Sequence, residues 1–296
     1  MPAPQLHGVM PYLVSPIGPD GRVMRDVLAR LVEHLIGEGV HGLTPLGSTG
    51  EFAYLDRSQK AEIIATVVEA ARGRVPVIAG IAATTTREAA SMAREAQELG
   101  ADGILAILEA YFPVSDDGVA AYFEAIGAAT PLPVCLYTNP NFQRSDISIP
   151  VLKRLAASSP TIGYIKDAST NTGRLLSIMN ATEGRMKVFA ASAHIPACVM
   201  LIGGVGWMAG PACIVARQSV ELYDLCRRGD WGAAMEKQRP LWAINQVFAK
   251  YGLAACIKGA LELQGFPVGA PLAPQEPLDE AGRREVRAAL EKVGAL

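Results

Sequence analysis

The chain has 296 residues, half of them hydrophobic and 19 % charged, enough to bury a large core in one or two domains. A formal net charge of −2 and a pI near 6.1, with basic residues scattered, supply no electrostatic footprint for nucleic acid. The opening MPAPQLHGVMPYLVSP lacks a signal peptide's cationic stretch and long apolar run, and nothing approaches the roughly 18 apolar residues of a membrane span. The five cysteines form no C-x-x-C pair, so the expectation is a cytoplasmic protein with reduced thiols and no metal site.

Along the chain, short apolar runs alternate with longer segments whose apolar positions recur at helical spacing. The candidate strands are GVMPYLV (8–14), VHGLTPL (40–46), VPVIAGI (75–81), DGILAIL (102–108), PVCLYT (133–138), IGYIK (162–166), KVFAAS (187–192) and GVGWMA (204–209). Between them, RDVLARLVEHLIGEG sets Val27, Leu28, Leu31 and Leu35 on one face, and TTTREAASMAREAQELG opens on threonine caps and closes on Gly100. Strands that are apolar throughout, each followed by a helix, indicate a parallel sheet closed on itself: an α/β fold, a (β/α)8 TIM barrel over residues 1–229. An open doubly wound sheet is the competing architecture, but no G-x-G-x-x-G follows the first strand. From 230 to 296 three helical stretches follow without a strand, a C-terminal helical extension.

In such a barrel the active site lies at the C-terminal ends of the strands. Strand two runs into GSTGE (47–51), strand five ends in Tyr137-Thr138-Asn139-Pro140, and strand six ends in Lys166-Asp167. GSTGE is either a cradle for a carboxylate or phosphate or simply a turn that caps the next helix. Tyr137 is either a general acid–base or a barrel-filling aromatic. Asp167 alternates with Lys166 and is expected to cap the following helix. Lys166, at the end of an apolar strand, must snorkel, pair with Glu51 or Asp167, or act as an amine nucleophile. Lowering its pKa from about 10.4 to about 7 takes roughly 4 to 5 kcal/mol, within reach of full burial.

GSTGE after strand two, Tyr-x-x-Pro at the end of strand five and IKD at the end of strand six together resemble the dihydrodipicolinate synthase and N-acetylneuraminate lyase family of pyruvate-handling class I aldolases, over nearly the whole chain. The resemblance implies that Lys166 forms the Schiff base with a 2-oxo acid, that Tyr137 shuttles protons, and that Ser48 and Thr49 hold the substrate carboxylate, with Thr49 or Ser48 in a proton relay. Gly47 and Gly206 complete the implied binding set. Neither metal nor organic cofactor is needed, and the implied assembly is a homotetramer or homodimer. The family's tyrosine pair after strand four, one of which enters a neighbouring subunit's site, is Tyr111-Phe112 here. The arginine that binds an aldehyde's carboxylate in the synthases stands two positions later, at Arg144. Strand seven carries AASAHIP in place of glycine and acidic residues, with His194 as a substrate contact. The expected activity is aldol cleavage, condensation or dehydration of a 2-oxo acid. The alternatives are 4-hydroxy-tetrahydrodipicolinate synthase, a non-catalytic 2-oxo-acid binder and a phosphate-binding barrel isomerase.

Overall fold

The computed structural model describes residues 5–140, 146–192 and 194–296. Seven parallel strands, β1 (Gly8–Pro11), β2 (Ile78–Ala83), β3 (Gly103–Leu108), β4 (Val134–Thr138), β5 (Ile162–Asp167), β6 (Lys187–Ala190) and β7 (Gly206–Ala209), run in the order β1-β7-β6-β5-β4-β3-β2. The eighth expected strand, at 40–46, is a thinner stave. It joins through two parallel bridges, Tyr12 with Thr44 and Leu43 with Val77. Its backbone bonds to both neighbours: the His41 and Thr44 amides donate to Val9 and Pro11, the Leu43 amide donates to Pro76, and the Leu43 carbonyl accepts from Ile78. These bonds close β1 onto β2 and complete the barrel. A longer ladder is stopped by Pro45, which has no N–H, and by Leu46, whose left-handed φ of 62° turns the chain out of the sheet.

Helices α1 (Arg25–Gly37), α2 (Arg57–Ala71), α3 (Thr86–Glu98), α4 (Asp116–Ala129), α5 (Ile149–Ser158), α6 (Thr172–Ala181), α7 (Pro196–Leu201) and α8 (Ala216–Arg228) surround the strands. α1 buries Leu28, Leu31, Val32 and Leu35, while Val27 of the expected stripe is only half-buried. α3 starts where the Thr85 side chain accepts from the Glu88 amide, and it buries only Ala89, Ala93 and Ala96, which lets it lie close to the sheet. The extension follows as α9 (Trp231–Tyr251), α10 (Leu253–Leu263) and α11 (Glu280–Lys292). Among the described residues no helix is long and apolar enough to cross a membrane.

Strand alternation sorts the core into two layers. Met10, Tyr12, Ile78, Leu105, Cys135, Phe189 and Met208 fill the barrel, whereas Val9, Ile104, Leu136 and Val188 pack outward against the helices. One irregularity matters for the site. Between β4 and β5 the register steps from Val134 opposite Ile162 to Cys135 opposite Tyr164, leaving Gly163 as an extra residue. The step sets Ile162 outward and Tyr164 and Lys166 inward, level with Cys135 and Tyr137. Ile107, Tyr137, Lys166 and Phe189 thus share one layer of the barrel on four neighbouring strands.

Candidate active site

At the C-terminal mouth of the strands a cavity of about 380 Å³ is lined by Tyr12, Ser48, Thr49, Tyr137, Asn139 and Lys166, among others. Lys166 is its centre. The side chain is 3 % exposed, and its Nζ donates to the Tyr12 hydroxyl at 2.9 Å. Nζ also lies 4.1 Å from the centre of the Tyr12 ring and 3.9 Å from that of Tyr137, so the ammonium form is held by two ring faces. No carboxylate among the described residues forms an ion pair with it. Burial is therefore the dominant influence on the amine and, although Tyr137 opposes it, leaves Lys166 below the ordinary lysine value.

Tyr137 answers in kind. Burial raises its phenol, but the Lys166 charge, then hydrogen bonds with Asn139, Ser48 and Lys166, bring it below the usual tyrosine range. The Asn139 Nδ2 donates to the Tyr137 hydroxyl at 3.1 Å. Tyr12 goes the other way: burial, then the neighbouring Tyr137 and Cys135, hold it well above the ordinary value, so it remains a neutral phenol. A buried amine in contact with two phenols is an arrangement in which a proton can pass between nitrogen and oxygen without reaching solvent.

The hydroxyl pair is placed by close packing. Ser48 and Thr49 lie in a short 3₁₀ turn (Ser48–Gly50) whose approach to the barrel depends on two glycines. A Cβ at Gly47 would stand 2.5 Å from the Tyr12 ring, and one at Gly210 would stand 2.4 Å from the Thr49 hydroxyl. The Ser15 hydroxyl donates to the Gly50 carbonyl at 2.6 Å and fixes the back of the turn. Glu51 ends it with a left-handed φ of 56°.

Other residues singled out by sequence occupy different places. Gly47 does not line the Lys166 cavity; it borders a second cavity beside it, of about 240 Å³, between the turn and β2–β3. Gly206 stands at the N-terminal start of β7 against Gly8, at the opposite end of the barrel; the glycine at the cavity is Gly210, just after β7. Tyr111 and Phe112 are 74 % and 73 % exposed, their rings edge to face at 4.9 Å, and neither lines the Lys166 cavity. His194 is buried after β6. Its Nδ1 accepts from the Ala191 amide at 3.4 Å, and its Nε2 has no partner among the described residues. Burial lowers its pKa, and it lines a cavity of about 40 Å³ that shares Ser192 and Asn245 with the main one. Arg144 lies outside the described residues.

Two expected pairings are replaced. Asp167 caps no helix: Asn171 caps α6, while Asp167 accepts from the Ser169 amide at 2.8 Å and pairs with Arg174 at 2.7 Å on the outer side of the sheet. Glu51 does not meet Lys166 but forms a buried ion pair with Lys258 of α10. Sequence reading also missed Tyr12, Gly210 and the wall contributed by α9 and α10, namely Asn245, Phe248, Ala249 and Leu253. Tyr12 stands inside the first apolar run but one residue past the observed end of β1, where the strand-end rule applies; the helical wall residues carry no comparable signal.

The model of the dihydrodipicolinate synthetase family matches residues 5–293. The chain belongs to this family. It is 34 % identical over 290 residues to a 4-hydroxy-tetrahydrodipicolinate synthase of Acidiphilium cryptum, covering 98 % of this chain and 99 % of the relative. It is 30 % identical over 291 residues to a DapA-like lyase of Halobacterium salinarum, covering 98 % and 95 %. Among solved structures, it resembles the chloride-inhibited dihydrodipicolinate synthase of Acinetobacter baumannii complexed with pyruvate, with a TM-score of 0.93 at 28 % identity, covering 98 % and 99 %. It also resembles YagE of E. coli K12, a prophage protein of the same family in complex with pyruvate, with a TM-score of 0.92 at 29 % identity and the same coverage. As a dihydrodipicolinate synthetase family member the chain is a lyase of the class I, Schiff-base type.

Proposed function

We propose that Lys166 is the Schiff-base residue and that the cavity handles pyruvate or a larger 2-oxo acid. The observation that carries this reading is a fully buried lysine with tyrosine hydroxyls, and no carboxylate among the described residues, as its partners. The neutral amine adds to the C2 carbonyl of the 2-oxo acid; the carbinolamine loses water to give a protonated imine. That imine takes up the electron pair released when a C3 bond breaks, forming an enamine; in the opposite direction the enamine supplies the pair to the new bond and returns to the imine. Tyr137 moves the protons at the carbinolamine and at the second reactant. The Ser48 and Thr49 hydroxyls and amides hold the carboxylate. The pyruvate complexes of the two structural relatives support the choice of acid.

The second reactant meets a wall of Ala168, Ala191, Phe248 and Leu253, interrupted by Asn139, Ser192 and Asn245. Such a wall suits an aldehyde or leaving group with an apolar body and one or two polar groups, with His194 behind Ser192 as a further donor. This favours a catabolic aldolase or dehydratase. The synthase names of relatives such as that of Acidiphilium cryptum favour the second reading, 4-hydroxy-tetrahydrodipicolinate synthase, in which Arg144 takes the aldehyde's carboxylate. We place the protein in the cytoplasm as a homodimer or homotetramer in which a second copy covers Tyr111 and Phe112; sedimentation of a Tyr111→Ser, Phe112→Ser variant as a smaller species checks that assembly.

Borohydride added with pyruvate is expected to leave an irreversible mass increase on Lys166 that is absent from Lys166→Ala. No adduct on the intact protein sinks the Schiff-base assignment. An adduct without turnover across a panel of aldehydes and 2-oxo acids leaves a non-catalytic binder.

A further inference from the structure

Glu51 and Lys258 are 207 positions apart, yet each is almost completely buried against the other. Their side chains are 0 % and 1 % exposed, and Lys258 Nζ stands 2.5 Å from Glu51 Oε2. Two further contacts join the same two pieces of chain, and a third braces the extension itself. Glu51 Oε1 accepts from the Leu272 amide at 2.6 Å and from the Gln275 side chain at 3.0 Å, and Lys258 donates to the Ala270 carbonyl at 2.9 Å. Ile257, next to Lys258, presses on the same spot: a Cβ at Gly210 would meet its Cδ1 at 2.5 Å and the Thr49 hydroxyl at 2.4 Å. The residue after Gly50 of the Ser48–Thr49 turn is thus tied to α10, and the α9–α10 junction supplies Phe248, Ala249 and Leu253 to the cavity.

A buried ion pair is a poor source of net stability, because desolvation offsets most of its Coulomb energy. Two well-packed apolar replacements would hold the two segments together as well. The pair has a different property: its charge-assisted hydrogen bonds are short and directional, so they fix one relative placement of the two segments.

We propose that Glu51 and Lys258 are positioning residues that lock the C-terminal extension onto the 47–51 turn and so set the spacing between the carboxylate-holding Ser48–Thr49 pair and Lys166. This rests on the Schiff-base reading above, and the test keeps the two apart. Neither residue touches the cavity around Lys166. Loosening the lock should therefore weaken capture of the acid without slowing the amine's own chemistry once the acid is bound.

The experiment measures the rate of borohydride trapping of pyruvate against pyruvate concentration, on the full chain. A wild-type protein that forms no adduct removes the Schiff-base reading itself, and the lock with it. Given a wild-type adduct, Glu51→Gln and Lys258→Met are each expected to raise the half-saturating pyruvate concentration about tenfold, while the rate at saturation stays within about threefold. The double variant should be no worse than either single one, because both remove the same lock. Unchanged half-saturation, or single effects that multiply in the double variant, overturns the proposal. Gln275→Ala removes only one hydrogen bond at the half-buried rim of the lock and decides the matter where the other variants do not fold. A rise of about two- to threefold supports the lock and no change overturns it.

Discussion

Two lysines of this chain are buried almost completely, and they have opposite surroundings. Lys258 meets a carboxylate and a carbonyl; Lys166 meets two tyrosine rings and a hydroxyl. Burial pulls both amines below the ordinary value, but at Lys258 the Glu51 hydrogen bond and charge oppose it directly. Burial alone does not make an amine reactive, because a counter-ion works against the loss of the proton that desolvation favours. The barrel mouth depresses an amine without supplying a carboxylate, whereas the junction with the extension buries a complete salt bridge.

The comparison breaks most sharply on activity. Lys166→Ala is expected to lose essentially all turnover, about a thousandfold or more, because no other amine among the described residues lines the cavity. Stability should divide the lysines the other way. Lys258→Met leaves the Glu51 carboxylate buried and unpaired and is expected to cost about 3–5 kcal/mol in denaturant unfolding. Lys166→Met strands no charge and should unfold within about 1 kcal/mol of wild type, or later. Equal losses in the two variants would contradict the assignment of different tasks.

Tyr137→Phe keeps the ring face over Lys166 while removing the proton carrier. A fall of about 10²- to 10⁴-fold in kcat, with the borohydride adduct still formed, is the expected pattern. A lyase that keeps full activity without this hydroxyl would remove Tyr137 from the mechanism. The smallest effect is on pH. With the Lys166 pKa depressed, the neutral amine forms at lower pH, so trapping at low pyruvate should rise with pH and level off below pH 10.5. The unfolded state binds more protons than the folded one between the depressed value and 10.5, so stability should also rise across that window. Lys166→Met should flatten the slope by at most about 1.4 kcal/mol per pH unit.

Much of this architecture is legible in the sequence because parallel strands buried on both faces read as uninterrupted apolar runs. The site is legible where chemistry coincides with a strand end, as at Tyr137 and Lys166. The stave at 40–46 is visible as a segment but not as a thin one, since its ladder is limited by the dihedral angles of Leu46. Tyr12 was available to the same strand-end rule. The Glu51–Lys258 pair was not: contact between residues 207 positions apart leaves no periodicity, and Glu51 alone offers nearer cations as plausible partners. Asp167 shows the converse error, where a plausible local cap gives way to Arg174, seven positions on.

The extra residue at Gly163 makes the fifth strand unequally tolerant of deletion. Counted from Ile162 by strict alternation, Lys166 would point to the helices and Asp167 into the barrel; the unpaired glycine reverses that count. Loss of Gly163 would leave a regular ladder with the amine still inside. Loss of Ile165, two residues away, would turn the amine out and bring a carboxylate to the mouth of the barrel, replacing the nucleophile at the centre of the site with an anion by removing a single codon.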